Sequence, residues 1–286
     1  MFSRILVPLG VSRDWESLVP HLVALSRKQD CEILVLETVS FTETLFEMPK
    51  AFMDTASAWV GDTDFAWRYV EGVAGELRAR GLRARGLVQI GEPVATISEE
   101  ARRQKATLIA LSVRGHRRTL HGLFQTRAQQ VLRASPVPTY VVPASTPASS
   151  GDVLIPVDGS GESLEAVPPA AEFCRGLAGK LLFLHVVAPG SSAESARQVL
   201  DAARRRSEQE GVDSEGILRE GDPAAEILQT SLERRAALIA MRSRLSPNDL
   251  RGPLGSVTVR VLRSARIPML IVRKAPAMLR SAARTG

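Results

Sequence analysis

Ile5–Pro8 reads ILVP and Val153–Pro156 reads VLIP, an offset of 148, while Gly91–Ile97 reads GEPVATI and Gly221–Ile227 reads GDPAAEI, an offset of 130. Three more echoes keep the second offset. LIALSVR at Leu108–Arg114 pairs with LIAMRSR at Leu238–Arg244, VLR at Val131–Arg133 with VLR at Val261–Arg263, and VPTYVV at Val137–Val142 with IPMLIV at Ile267–Val272. One tandem duplication accounts for all five. The drop in offset, 148 − 130 = 18, means that the second copy lacks about that many residues between its first strand and Gly221. The copies can therefore be compared for the residues a site needs.

A chain of 286 residues is long enough for one large domain or two ordinary ones, and the repeat decides for two. The expected layout is residues 1–143, a linker at 144–151, residues 152–275 and a basic tail at 276–286. With 44% apolar and 24% charged residues the composition is that of a soluble globular protein. No run approaches the roughly 20 apolar residues of a membrane span. The opening MFSRILVPLG passes straight into a strand-like run without the layout of a signal peptide. Cys31 and Cys174 do not fall at matching repeat positions, so a disulfide framework is not expected and a cytoplasmic setting is. The net charge of +6 gathers at places such as Arg204–Arg206 and the tail after Val272. Aromatics are only 5%, and no basic surface interleaved with aromatics shows, which speaks against nucleic acid as a partner.

Each copy alternates short β-branched runs with longer helical patterns, the signature of βαβ units and a parallel sheet. The strands expected in the first copy are Arg4–Pro8, Glu32–Val39, Ala84–Gln89, Thr107–Ser112 and Thr139–Val142. Those expected in the second are Val153–Val157, Lys180–Val187, Ser214–Arg219, Ala237–Met241 and Met269–Val272. Glu194–Gly211 carries Ala196, Val199, Leu200 and Ala203 at helical spacing. Near-continuous apolar strands imply helices on both sheet faces. The 18 or so extra residues of the first copy are expected in Phe41–Asp64, a segment rich in Phe, Met and Trp that reads as a flap, an interface element or local packing.

In such sheets ligands bind beyond the carboxyl ends of the strands where the strand order reverses. The loops after strands one and four of each copy therefore matter. In the second copy, strand one ends IPVDGSGES, with Asp158 at its tip, and Gly255-Ser256 opens a helix after strand four. Free amides at a helix start, with a hydroxyl, favour an anion such as phosphate.

The opening ILVP strand, LHVV at Leu184–Val187, the Gly-[Glu/Asp]-Pro at helix three and the closing GSVxxxVLRxxxxPxLIV together resemble the universal stress protein family, over nearly the whole chain. The resemblance implies an α/β fold of two tandem Rossmann-like domains, each a mostly parallel five-stranded sheet flanked by helices. It also implies that they pack as a pseudo-dimer through their last strands, and that two tandem chains form a homodimer. Many members bind ATP through Gly-x2-Gly-x9-Gly-[Ser/Thr] after strand four, an Asp after strand one, and the backbone after the His-Val of strand two. Carried onto this chain, the implied contacts with ATP or another adenine nucleotide, with Mg, are Pro156, Asp158, Val186, Met241, Arg242, Gly255, Ser256 and Val257.

The second copy departs from that motif at both early glycines, which are Arg242 and Leu245. The first departs further, with Gly10 at the aspartate position, Ser112 and Gly115 at the early glycines, and Gln125-Thr126 at the late Gly-Ser. Backbone approach to a phosphate needs residues without a Cβ. The replacements therefore either close the loop to ATP or let arginine touch phosphate directly. A plainer reading has Asp158 as a turn residue and Ser256 as a helix cap. The loop arginines Arg114, Arg117, Arg118, Arg242, Arg244 and Arg251 read as a basic cover over an anion or as solvated surface.

His21, His116, His121 and His185 are dispersed and no cysteine has the spacing of a zinc pair, so no metal site is expected. His185 reads as a core histidine. No GxSxG elbow, Walker lysine motif or GxGxxG is present, nor an SGGxDS loop of the kind an ATP-dependent ligase on this fold carries. The expectation is a stress-response protein that binds an adenine nucleotide in its second domain without dedicated catalysis. The alternative is a nucleotide-free tandem scaffold acting through protein contacts.

Overall fold

The computed structural model describes residues 2–11, 14–26, 30–40, 56–113, 127–144, 146–190, 192–243 and 254–273. The first copy contributes β1 (Arg4–Pro8), α1 (Val19–Ser26), β2 (Glu32–Val39), α2 (Ala56–Ala79), β3 (Arg83–Ile90), α3 (Pro93–Arg103), β4 (Leu108–Val113), α4 (Arg127–Ala134) and β5 (Thr139–Pro143). The second contributes β6 (Val153–Val157), α5 (Val167–Leu177), β7 (Leu181–Val187), α6 (Ala193–Gln209), β8 (Ser214–Glu220), α7 (Pro223–Glu233), β9 (Leu238–Arg242), α8 (Ser256–Ser264) and β10 (Met269–Val272). Short 3-10 turns, Trp15–Leu18 and Ser163–Ala166, precede α1 and α5. All ten expected strands are present, none displaced by more than a residue or two at either end.

Alternation along the strands fills two layers in each copy. Ile5, Val7, Ile33 and Val35 face Leu18, Leu22, Val70, Val73 and Leu77 on α1, α2 and the turn before α1. Leu6, Leu34 and Leu36 face Ile97, Ala101 and Val131 on α3 and α4. The second copy repeats the scheme, with Ile155 and Phe183 towards α5 and α6, and Leu154, Leu182 and Leu184 towards α7 and α8. Each such leucine or isoleucine, fully buried, stabilises the fold by about 1.5–3 kcal/mol. Burial on both faces explains why the strands read as apolar runs rather than as alternation.

The strands form one ten-stranded sheet in the order β3-β2-β1-β4-β5-β10-β9-β6-β7-β8. Within each copy every pairing is parallel. The copies meet through an antiparallel pair, with Met269 opposite Val141, Leu270 opposite Tyr140 and Ile271 opposite Thr139. The two echoing last strands are therefore the internal contact, as their resemblance to a dimerising edge implies.

The repeated Gly-[Glu/Asp]-Pro acquires a physical cause. Gly91 and Gly221 take φ of +155° and +143°, which a side chain disfavours. Glu92 and Asp222 then cap α3 and α7 by accepting from the amides of Ala95 and Ala225 at 3.0 and 2.9 Å, with proline in the first turn. The extra length of the first copy divides in two. α2 is 24 residues against 17 in α6, and the rest lies in the connection before it, 40–55 against 188–192. Of Phe41–Asp64, residues 41–55 lie outside the described residues and the remainder begins α2.

The linker is irregular but anchored. His21 on α1 donates from Nε2 to the Thr146 carbonyl at 2.9 Å, so the neutral ring accepts at Nδ1 from the Tyr140 hydroxyl at 2.8 Å. Tyr140 lies 4.9 Å from Phe173 of the second copy, which in turn lies 5.0 Å from Phe2. Burial lowers the His21 pKa below its ordinary 6.5, against the bond to Thr146. Among the described residues no helix is long and apolar enough to cross a membrane.

Candidate functional site

In the second copy β6 lies between β7 and β9, so the chain reverses its direction of winding at the β6–β9 pair. Their carboxyl ends open a cleft with about 300 Å³ of space. Pro156, Asp158, Val186, Met241, Arg242, Gly255, Ser256 and Val257, the residues implied by the motif, all line it. Four different elements or their ends supply them. The structure thus brings the expected set together in one place. It adds Ser160, Glu162, Ser163 and Thr258 as polar lining, and Leu184, Pro223 and Ile227 as an apolar wall. All but Thr258 lie within stretches that the repeat or the resemblance singles out, IPVDGSGES, LHVV and GDPAAEI, but no motif assigns any of them to the cleft.

The loop after β6 is built around Asp158. Its Oδ1 accepts from the Ser160 amide at 3.0 Å and from the Ser160 hydroxyl at 2.6 Å, with Gly159 at φ +83° between them. Ser163 donates its amide to Ser160 Oγ at 3.2 Å and its hydroxyl to the Ser160 carbonyl at 2.7 Å, which starts the 3-10 turn. Asp158 is therefore a turn-forming residue that also stands exposed at the cleft mouth. Across the cleft Gly255 is the N-cap of α8, and no side chain caps that helix. Ser256 is its first helical residue, not its cap. The first-turn positions Gly255, Ser256 and Val257 thus present a helix start to the cleft, where partial positive charge favours an anion.

Arg242 is where the structure adds most. It ends β9, and its side chain is only 3% exposed. Its Nε donates to Glu165 Oε2 at 3.0 Å, and its terminal nitrogens reach Glu162 at 3.6 Å and the Ser243 carbonyl. Both glutamates come from the loop and 3-10 turn after β6, across the crevice. The early-glycine position is thus filled by a guanidinium already held by two carboxylates, an arrangement neither of the two sequence-based alternatives anticipated.

Among the described residues the first copy shows no equivalent of the Asp158 turn. Gly10 stands at the aspartate position, and a Cβ there would lie 3.0 Å from Glu37 Oε1. Glu37 is the counterpart of His185 at the offset of 148, so the carboxylate has moved from the tip of strand one to strand two. Burial raises the Glu37 pKa, partly opposed by the Thr38 amide and by Arg127. Comparing Gly10–Glu37 with Asp158–His185 in the sequence would have shown this exchange.

His185 is half-buried rather than a core residue. Its Nδ1 donates to the Val157 carbonyl at 2.8 Å and so braces the end of β6 next to Asp158. Arg114, Gly115, His116, Arg117, Arg118, His121, Gln125, Thr126, Arg244, Leu245 and Arg251 lie outside the described residues. Among the described residues no cluster of three or more His, Cys, Asp or Glu is placed to hold a metal ion. Cys31 and Cys174 are both free and buried.

Comparison with known proteins adds the following. The family model described as the universal stress protein family matches residues 1–143 and 150–273. A universal stress protein from Methanocaldococcus jannaschii is 30% identical over 138 residues, covering 43% of this chain and 81% of that protein. One from Bacillus subtilis is 28% identical over 144 residues, covering 42% of this chain and 97% of its own. The crystal structure of a universal stress protein from Archaeoglobus fulgidus superposes with a TM-score of 0.74 over 96% of this chain and 98% of that one, at 21% identity. That last likeness concerns the fold, including both tandem halves.

Proposed function

The chain belongs to the universal stress protein family, with two domains of that family in tandem, and on that premise we propose that the cleft of the second domain binds one adenine nucleotide. The observation that carries this reading is the convergence of all eight implied residues on a single cleft at the strand-order reversal. In this reading the Asp158 carboxylate accepts from ribose hydroxyls. Leu184, Val186, Ile227 and Met241 supply the apolar wall on which a base is held, and the uncapped start of α8 takes phosphate at Ser256 and Val257.

The proposed role is binding rather than turnover. A general base needs a carboxylate free to take a proton from an attacking water. The two carboxylates that line the cleft are engaged, Asp158 by Ser160 and Glu162 by Arg242. In the first domain no nucleotide is proposed, because Glu37 occupies the space beside Gly10.

A second reading, a nucleotide-free scaffold working through protein contacts in a stress response, is favoured by one observation. The arginine at the first glycine position is already neutralised. The discriminating experiment is to denature protein purified without added nucleotide and analyse the supernatant by chromatography, followed by titration of the refolded or stripped chain with AMP, ADP and ATP. Released nucleotide or saturable binding supports the first reading; neither leaves the scaffold. Association of two tandem chains belongs to the same proposal. Light scattering of the purified protein should give twice the 31.0 kDa of one chain, and a monomer mass would remove that part.

A further inference from the structure

We propose that β8 is the surface through which two tandem chains associate, pairing antiparallel with β8 of a second chain about a twofold axis at Ile217. The inference rests on the association of two chains stated above and gives it a surface; it is independent of the nucleotide reading.

β8 ends the ten-stranded sheet, with β7 as its one strand neighbour among the described residues. Its outer row of amides and carbonyls is a template for another strand. Edge strands are usually blunted by proline, by lysine or by shortness. SEGILRE, at Ser214–Glu220, is seven residues long and carries neither proline nor lysine. The chain already joins its own halves in this way, through the antiparallel β5–β10 pair.

The sequence of β8 is complementary to itself. A register that uses the whole strand puts Ile217 on the axis. Glu215 then stands opposite Arg219 of the second chain, and Gly216 opposite Leu218. Opposite residues of an antiparallel pair share a face, and their side chains meet. The Glu215–Arg219 contact forms twice, once on each side of the axis. On the other face Leu218, 42% exposed, comes to lie over the exposed Gly216 of the second chain, where no side chain competes for the space. Within its own chain Glu215 is held by Lys180 at 2.6 Å and by Arg234, and Arg219 by Glu233. With 34% and 39% of their side chains exposed, Glu215 and Arg219 still have room for a further partner. Their pairing links these contacts into one network across the axis, which counts for more than isolated surface pairs.

The same charges disfavour the other pairings of sheet edges. Parallel β8 strands in register oppose Glu215 to Glu215 and Arg219 to Arg219. The other edge, β3, has Arg85 and Gln89 at the positions of Glu215 and Arg219, at the offset of 130. β3 against itself opposes Arg85 to Gln89, and β3 against β8 in the same register opposes Arg85 to Arg219. Like charges directly opposite destabilise a sheet.

The test is light scattering of the full chain over a dilution series, for wild type, Arg219→Glu, Glu215→Arg and an equal mixture of the two variants. Each variant alone opposes like charges at both contacts, whereas the mixture restores opposite charges at both. The expected result is twice the 31.0 kDa of one chain for the wild type, the mass of one chain for each variant, and return to the doubled mass on mixing. Leu218→Lys, which removes no ion pair, should also give the single mass with an unchanged circular dichroism spectrum, and it decides the matter should either charge variant fail to fold. A wild-type monomer removes the association and this surface together. A doubled mass that survives all three substitutions, or folded charge variants that stay single on mixing, overturns the β8 pairing while leaving the association of chains.

Discussion

Replacing Phe173 with alanine tests whether the two copies are one structural unit. Phe173 belongs to α5 of the second copy and is 1% exposed, yet its ring contacts Phe2 and Tyr140 of the first at 5.0 and 4.9 Å. Phe-to-Ala substitution in a core costs about 3–5 kcal/mol, the range reflecting how far the site collapses. Here the void would open between two domains joined by a continuous sheet, and both lose packing. All three tryptophans, Trp15, Trp59 and Trp67, lie in the first copy, so intrinsic fluorescence reports on that copy alone. With a urea m-value of roughly 2–3 kcal/mol/M, the loss lowers the midpoint by about 1–2 M. The expected outcome is a drop of that size in the tryptophan-monitored midpoint, although the substitution is in the other domain. A fluorescence midpoint equal to wild type, with only the circular dichroism transition shifted, would refute the claim that Phe173 couples the copies.

Two other perturbations follow from the seam and the linker. Gly179 lets the linker end pass against it, since a Cβ there would lie 2.1 Å from the Gly151 carbonyl oxygen. Gly179→Ala is therefore expected to cost a few kcal/mol, about 2 or more, seen as a lower melting temperature and tested against Gly176→Ala, where a Cβ meets open space. His21 has a folded pKa below its ordinary 6.5 because burial disfavours the cation. The unfolded chain then binds more protons just below that value, so the contribution is fully present above pH 6.5 and is lost as the pH falls towards the folded pKa. Melting temperature should decline across that window in the wild type and less in His21→Gln; identical slopes would remove His21 as the cause.

Much of this architecture was legible because the chain repeats. Three of the five echoes fall on strands one, four and five of each copy, and apolar runs mark the others and specify a sheet covered on both faces. The strand-tip rule then assigns Asp158 and Gly255-Ser256 to one cleft. What the sequence could not show are contacts between residues far apart in it. Glu165 and Arg242 are separated by 77 positions and meet because β6 and β9 are neighbours, which no local pattern encodes. The same holds for His21 and Tyr140, 119 apart. A motif comparison reads Arg242 as a lost glycine, or as a free cation for phosphate. Only the fold shows it already paired. Conversely, the exchange of carboxylate between Gly10–Glu37 and Asp158–His185 was present in the repeat and needed only the second strands to be compared.

The most direct test of a single nucleotide site in the second domain is calorimetric titration of the intact chain with AMP, wild type against Asp158→Ala. The account predicts saturation near one nucleotide per chain, with binding lost or greatly weakened in the variant, and a melting temperature lowered only by the loss of the two hydrogen bonds from Ser160. Saturation near two per chain, binding unaffected by Asp158→Ala, or no heat together with no nucleotide released on denaturation would contradict it.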